Sequence, residues 1–269
     1  FVDSGQETLV NRDELQQRLS EVMIRNRREE TDIDFTERII DTRTFEPSEA
    51  EKELYDAVTE YVRGAYSQDQ GQKLVLMLLQ KEVVSSPEAL KQTILKQLDE
   101  QNELTHRDEL ETILEKIDAI DTVTKQERLF DIVEEARDHV DMGRVIVFTQ
   151  FRPTQSQILE ALDGRGYTTH SFNGSHSSQE KEDIVDRFRE EGGVLVSTDA
   201  MNEGRNLQFS NIMINYDLPW NPMKVEQRIG RIHRIGQKRK VYVFNMGLKG
   251  TIEEYVLDRL YHKIDLFQQ

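Results

Sequence analysis

Gln227-Arg228-Ile229-Gly230-Arg231-Ile232-His233-Arg234-Ile235-Gly236-Gln237 combine guanidinium, amide and glycine in a spacing suited to holding an anion. Arginine recurs every third position at Arg228, Arg231 and Arg234, beside isoleucines at Ile229, Ile232 and Ile235. At about 100° of rotation per helical residue the two rows run side by side. The isoleucines are expected to seat a helix in a core, and the arginines to project from an adjacent edge where something anionic meets them. Gly236 suits a C-terminal cap. Gly230, inside the helix, costs roughly 1 kcal/mol relative to alanine, so close approach of another group is expected there. A plain solvated basic face would require neither the glycines nor Gln227 and Gln237.

The elements around this helix alternate. Val145-Ile146-Val147-Phe148 is a short continuous apolar run, the mark of a strand covered on both faces. A helix is expected from Pro153 to about Asp163, a strand over Tyr167–Phe172 and a helix over Ser177–Arg189. Strands follow at Val194–Val196 and Ile212–Ile214, then the arginine helix from Pro222 to Ile235. A strand at Val241–Asn245 and a closing helix from Thr251 to Phe267 end the series. Strands alternating with helices imply a parallel sheet with right-handed crossovers, an α/β fold. Ligands of such sheets bind beyond the carboxyl ends of the strands. Upstream, helical spacing covers Arg12 to about Glu30, an extended segment runs from Ile33 to Phe45, and Pro47-Ser48 opens another helix. Leu74–Val84 is densely apolar and is expected to be a buried helix, with further helices through Ile117 and from Thr124 to His139.

Three turns after strands carry small polar residues. Thr149 and Gln150 end the first strand, where a hydroxyl and an amide can grip a phosphate backbone without reading bases; plain turn chemistry explains them as well. Asn173-Gly174-Ser175 precedes a helix, whose starting N–H groups attract phosphate oxygens. The third turn, Ser197-Thr198-Asp199-Ala200-Met201-Asn202-Glu203-Gly204-Arg205-Asn206-Leu207, has the same polar character. Tyr216-Asp217-Leu218-Pro219-Trp220-Asn221-Pro222 then leads into the arginine helix.

The pattern Q-R-x-G-R-x-x-R-x-G-Q over Gln227–Gln237 resembles motif VI of superfamily 2 helicases and translocases. Ser197–Leu207 looks like motif V, Val145–Phe151 resembles motif IV, and Trp220-Asn221-Pro222 is similar to the Trp-Asn-Pro of Swi/Snf-type proteins. Glu203-Gly204-Arg205-Asn206 departs from most Swi/Snf-type enzymes, which carry an aliphatic residue in place of Arg205. There it resembles the bacterial RNA-polymerase-associated ATPase branch. The resemblance implies a RecA-like second lobe with Arg231 and Arg234 as catalytic arginine fingers, a device worth about 10³–10⁵ in rate in phosphoryl transfer generally. It places Glu203, Gly204, Gln227 and Arg228 near the nucleotide. It puts Thr149, Gln150, Asn173, Gly174, Ser197, Thr198, Trp220 and Asn221 on nucleic acid. It further implies ATP, with Mg²⁺ held by a first RecA-like lobe of the same polypeptide, and double-stranded DNA as the nucleic acid. A polymerase or other DNA-bound complex is the protein partner it suggests.

Composition sets the outer limits. Apolar residues make up 36% and charged residues 32%, which fits a helical, well-solvated protein of one large domain or a domain with an appendage. Net charge is −16 overall, but residues 1–140 hold 34 acidic and 18 basic residues while residues 141–269 hold 17 of each. Between 224 and 249 eight basic residues face only Glu226, and local patches rather than the whole-chain sum decide phosphate binding. No apolar run approaches the roughly 20 residues that cross a bilayer, so no membrane partner is expected. With no cysteine, disulfides and thiolate metal sites are excluded, and a cytoplasmic location is expected. The histidines lack the spacing of a zinc site, so no metal is expected on this chain. There is no phosphate-cradling Gly-x-x-x-x-Gly-Lys-Ser/Thr loop and no Asp-Glu box. The organisation expected is a linker from an absent first lobe over 1–70, a helical segment over 71–140 and the RecA-like domain over 141–269. Two other readings remain: a non-catalytic nucleic-acid or protein-binding module of the same fold, and a metabolic nucleotide-binding domain. The latter would need a glycine-rich turn where Thr149-Gln150-Phe151-Arg152 stands.

Overall fold

Short runs of branched and large apolar residues build a six-stranded sheet, parallel throughout, in the computed structural model. The structure describes residues 2–3, 6–9, 36–68, 73–100, 106–137, 143–202 and 206–258. They fall into two units, Phe1–Phe35 and Thr36–Gln269. The first contributes an antiparallel pair, β1 (Val2–Asp3) and β2 (Gln6–Leu9). The helix expected over Arg12–Glu30 lies outside the described residues, as does the closing helix beyond residue 258.

In the second unit the sheet order is β3-β8-β7-β4-β6-β5. The strands are β3 (Arg38–Phe45), β4 (Arg144–Phe148), β5 (Thr169–Phe172), β6 (Gly193–Ser197), β7 (Ile212–Asn215) and β8 (Val241–Leu248). Side chains alternate between the two faces with period two, and both faces are covered. Ile146, Phe148, Leu195, Met213 and Val243 point to one side. There they pack with Ile184, Val185 and Phe188 of α7 (Ser178–Glu191) and Val225, Ile229 and Ile232 of α8 (Pro222–Ile232). Val145, Val147, Val194, Val196, Ile212 and Ile214 point to the other. They meet Leu129, Ile132 and Val133 of α5 (Thr124–Arg137) and Ile158 and Leu162 of α6 (Arg152–Asp163). Two covered faces explain why these strands read as continuous apolar runs.

Two features differ from expectation. Arg38–Phe45, expected as part of an extended segment within the linker, is a strand as read but belongs to the sheet, at its edge and in register with β8 from Arg38↔Val241 to Phe45↔Leu248. Its half-buried side chains on a sheet edge leave only a weak apolar signal in the sequence. A separate apolar cluster joins α1 (Glu49–Gln68), α2 (Lys73–Ser85), α3 (Pro87–Glu100) and α4 (Arg107–Asp118). Within it α2 is a helix, as expected, but not a buried one. Leu76, Leu79 and Val83 face the cluster while Leu74 (82% exposed), Met77 and Leu78 face out. A cluster of short helices can cover one side of α2, and density of apolar residues alone does not reveal which side.

Glu82 of α2 is buried, accepts from Thr93 Oγ1 at 2.8 Å, and keeps Oε2 without a hydrogen-bond partner among the described residues. Burial pushes its carboxyl from 4.5 to about 7. A carboxyl raised on folding stabilises fully below its unfolded pKa, and that contribution disappears as pH rises through the folded value. Glu82→Gln, which removes a charge lacking full satisfaction, should therefore unfold at higher temperature than the parent at pH 8, by about 1–3 kcal/mol in stability. The gap should close by pH 5. Equal melting temperatures at pH 8 would show that the carboxylate is already solvated.

Candidate functional site

The parallel register lines up Phe172, Ser197, Phe148 and Asn215 across neighbouring strands. The residues that follow them, Asn173, Thr198, Thr149 and Tyr216, therefore leave the sheet along one carboxyl edge, where open α/β sheets take their ligands. The sequence motifs meet there, but several of their side chains turn inward. Thr149 is fully buried and its hydroxyl donates to Asp217 Oδ2 at 2.6 Å. The expected grip of Thr149 on an outside phosphate is thus corrected to an internal bond. Gln150 donates its amide N–H to the same oxygen at 2.9 Å, and its side chain to the Leu218 carbonyl at 2.9 Å. Ser197 is likewise buried, with its hydroxyl on the Thr198 carbonyl. Thr198 is nearly so, its amide donating to the Phe172 carbonyl at 3.0 Å. Asn173 donates to Gln155 Oε1 and accepts from the Ser175 amide and hydroxyl, a turn-forming role. Gly174, Trp220 and Asn221 reach solvent. Polar side chains one residue past a buried strand fall under the helices that cover the sheet, so the turns present backbone more than side chain.

The arginine helix α8 starts from Asn221, whose Oδ1 accepts the Met223 amide at 3.0 Å, with Pro222 in its first turn. It ends at Ile232 rather than Ile235, and His233 Nε2 donates to the Thr36 carbonyl ahead of β3 at 2.7 Å. Glu226, the one acid in the basic stretch, pairs with Arg38 of β3 at 2.9 Å. A three-residue repeat drifts by about 60° per step on a helix of 3.6 residues per turn, so neither row can keep one heading. Ile229 and Ile232 are buried while Ile235 is 62% exposed. Gly236 adopts φ +95° in the turn beyond the helix, and nothing within the described residues approaches the Cβ position of Gly230.

Arg228 is the clearest correction. Expected beside the nucleotide, it is wholly buried under the sheet edge. Its Nη2 pairs with Asp199 Oδ1 at 2.7 Å, and Nη1 donates to Asn215 Oδ1 at 2.9 Å and to the Asp217 carbonyl at 3.1 Å. The guanidinium lies 4.8 Å from the Phe148 ring centroid. Burial pulls its pKa down and Asp199 pushes it back up. Burial also works against the Asp199 carboxylate, but Arg228 and Lys224 outweigh it and hold the carboxyl below its ordinary range. Arg231 is half-buried at the helix edge, its charge disfavoured by burial and then by Arg234. Arg234 is exposed, with Nε on the Gly230 carbonyl at 2.6 Å, and forms no ion pair with a carboxylate among the described residues. Gln227 is exposed as well. Glu203 and Gly204 lie outside the described residues. Gln237 is a structural clasp: Nε2 donates to the Gln208 and Ile232 carbonyls at 2.9 Å each, and Oε1 accepts the Lys238 and Arg239 amides.

Behind this edge sits a polar joint that no motif signals. Asp217 Oδ2 accepts from Thr149, from Gln150 and from Ser85 Oγ (2.8 Å), while Oδ1 faces Lys125 Nζ at 3.2 Å. Lys125, 1% exposed, also donates to Glu253 Oε1 at 2.7 Å and to the Val84 carbonyl at 3.0 Å. Burial works against the Lys125 charge, yet Glu253 and Asp217 more than restore it. Burial pushes Glu253 up to about 7 against the pull of Lys125. Thus α2, α5, the β7 turn and the helical residues 252–258 converge on one ammonium. No group of three or more histidine, aspartate or glutamate side chains is placed to hold a metal ion among the described residues.

Residues 124–236 match the family described as helicase conserved C-terminal domain. The chain is 39% identical over 251 residues to the uncharacterized ATP-dependent helicase YqhH of Bacillus subtilis, covering 93% of this chain and 44% of that protein. It is 40% identical over 124 residues to the RNA polymerase-associated protein RapA of Vibrio vulnificus, 45% of this chain and 13% of that one. The Sulfolobus solfataricus SWI2/SNF2 ATPase core, solved in complex with dsDNA, superposes with a TM-score of 0.63 at 25% identity, over 95% of this chain and 51% of that chain. The chain spans less than half the length of these curated relatives.

Removing the Asp217 carboxylate leaves a buried ammonium with one acid fewer and strands the Thr149 and Ser85 hydroxyls. Asp217→Ala should therefore cost about 3–5 kcal/mol in urea unfolding, the usual range for breaking a buried pair from one side. A loss near zero would mean that water replaces the carboxylate at no cost.

Proposed function

Because the chain belongs with the Swi/Snf-type ATPases of superfamily 2 and carries their helicase C-terminal domain, we propose that it supplies one wall of an ATP site and a surface for duplex DNA. The observation that carries this reading is the contrast along α8. Arg228 is locked inside the lobe, while Arg231 is half-buried at the outer end, its charge disfavoured by burial and then by Arg234, and Arg234 beyond it stands open to solvent. Two neighbouring guanidinium groups at one end of a helix are complementary to the terminal phosphate of a nucleotide held by a facing lobe. Gln227, Glu203 and Gly204 complete that wall in the proposal. Arg228 acts there as a positioning residue, not a ligand.

The rest of the ATP site belongs, in this reading, to a first lobe that holds the phosphates and Mg²⁺. The residues described here offer guanidinium and backbone groups and no ligand set for the metal. Closing the lobes brings Arg231 and Arg234 to the phosphate as negative charge develops; opening releases them. Duplex DNA is favoured because the Sulfolobus core is in complex with dsDNA. Its backbone would lie along the carboxyl edge at Gln150, Gly174, Thr198, Trp220 and Asn221, giving salt-dependent, sequence-tolerant binding. Likeness to RapA makes a polymerase or another DNA-bound complex a fitting partner. The absence of cysteine suits a reducing cytoplasm.

In a polypeptide carrying both lobes, Arg231→Ala or Arg234→Ala should lower kcat by about 10³ or more while the Kd for DNA stays at the parent value. Loss of DNA binding with normal turnover would move these residues to the nucleic-acid surface. The purified 269-residue chain should hydrolyse ATP at background rate, and clear turnover would refute the shared site.

A further inference from the structure

Lys81 of α2 stands outside every sequence motif, in a helical segment whose half of the chain is strongly acidic. It nevertheless leaves that segment and reaches the carboxyl edge of the sheet. Its Nζ lies 4.3 Å from the centroid of the Trp220 ring, itself 36% exposed immediately before α8. Lys224 is close enough to disfavour the Lys81 charge, second only to burial, with Asp199 acting the other way. Asp199 is already bonded to Arg228 at 2.7 Å and to Lys224 at 3.1 Å. Three cations therefore surround one carboxylate. Lys81 itself pairs with no carboxylate among the described residues. Like charges assembled beside a part-exposed aromatic ring repel one another until an anion arrives, and lysines so placed neutralise the phosphates of a duplex.

We propose that Lys81, with Lys224 and Trp220, forms a phosphate clamp on duplex DNA, so that the helical segment is one wall of the nucleic-acid surface. The inference rests on the DNA-binding reading above and extends it to an element that the motifs do not reach. The contact is to the sugar-phosphate backbone and carries no base preference, because an ammonium is a point charge. The shared chemistry, a phosphate oxygen, could also come from the nucleotide, so both sources enter the test.

The 269-residue chain is titrated against a fluorescein-labelled duplex of arbitrary sequence across a sodium chloride series, and separately against a fluorescent ATP analogue. Lys81→Gln should reduce the slope of log K against log salt by about 0.9, one phosphate contact, while Lys81→Arg keeps the parent slope. Affinity for the ATP analogue should not change. Parent chain that binds duplex, with Lys81→Gln matching it in affinity and slope, overturns the clamp alone. Parent chain without duplex binding overturns the DNA reading itself, and the clamp with it. A loss confined to the ATP analogue assigns the lysine to the nucleotide and also overturns the clamp. A second measurement needs no variant: duplex should protect Lys81 of the parent chain from acetylation, read by mass spectrometry. Equal modification with and without duplex again rejects the contact.

Discussion

Asp217 is the point at which the two halves of the second unit are tied. One of its oxygens serves two groups from the β4 turn and one from α2; the other meets the Lys125 ammonium, which in turn holds Glu253. An apolar interface between the four-helix cluster and the sheet could slide or repack at modest cost. A buried ionic joint cannot, because every displaced partner leaves a charge or hydroxyl unsatisfied in a dry interior. Asp217 thus helps to hold the end of α2, the helix that carries Lys81 over Trp220, together with the Ser85–Thr154 bond and the apolar face of α2. The joint also fixes the turn that delivers Trp220 and Asn221 to the start of α8.

Arg228 performs the corresponding task on the other side of the edge. Its bonds to Asp199, Asn215 and the Asp217 carbonyl connect the turns after β6 and β7 to the arginine helix, and Asn215 passes the connection to Asn245 of β8. Orientation of α8 is set by this inward arginine, by the Arg38–Glu226 pair and by its own apolar face. Beyond these restraints the helix edge carries the half-buried Arg231, and the exposed Arg234 follows it. Within a single repeat the guanidinium groups thus pass from fully buried at Arg228 to half-buried at Arg231 and exposed at Arg234.

Much of the architecture was legible from residue patterns. The runs at Val145–Phe148, Val194–Val196 and Ile212–Ile214 are strands because both faces of a parallel sheet are covered, and that makes them unmistakable. Edge strand β3 was legible only as an extended segment over Ile33–Phe45; its place in the sheet beside β8 was not, since a half-covered strand lacks such a run. The direction of each arginine was also hidden. A motif fixes residue order, while a drift of about 60° per three residues decides which guanidinium faces inward. The role of Lys125 had no local signal at all: its partners lie 92 and 128 residues away, and a helix lysine reads as surface until those partners are known. For Thr149 the sequence left both a phosphate grip and plain turn chemistry open, because a hydroxyl after a strand looks alike whether it meets a carboxylate from its own chain or an outside phosphate; the structure has it on Asp217.

The register of β3 has a mechanical corollary. It lies beside β8 with the same polarity through eight matched positions, and the chain enters the unit at its outer end. Tension drawn along that strand from the preceding polypeptide would load all rungs of the ladder together, in shear, instead of peeling them one after another. The same tug would be shared with α8 through Arg38–Glu226 and the His233–Thr36 contact, so traction at the entry would reach the arginine helix before any rung parted.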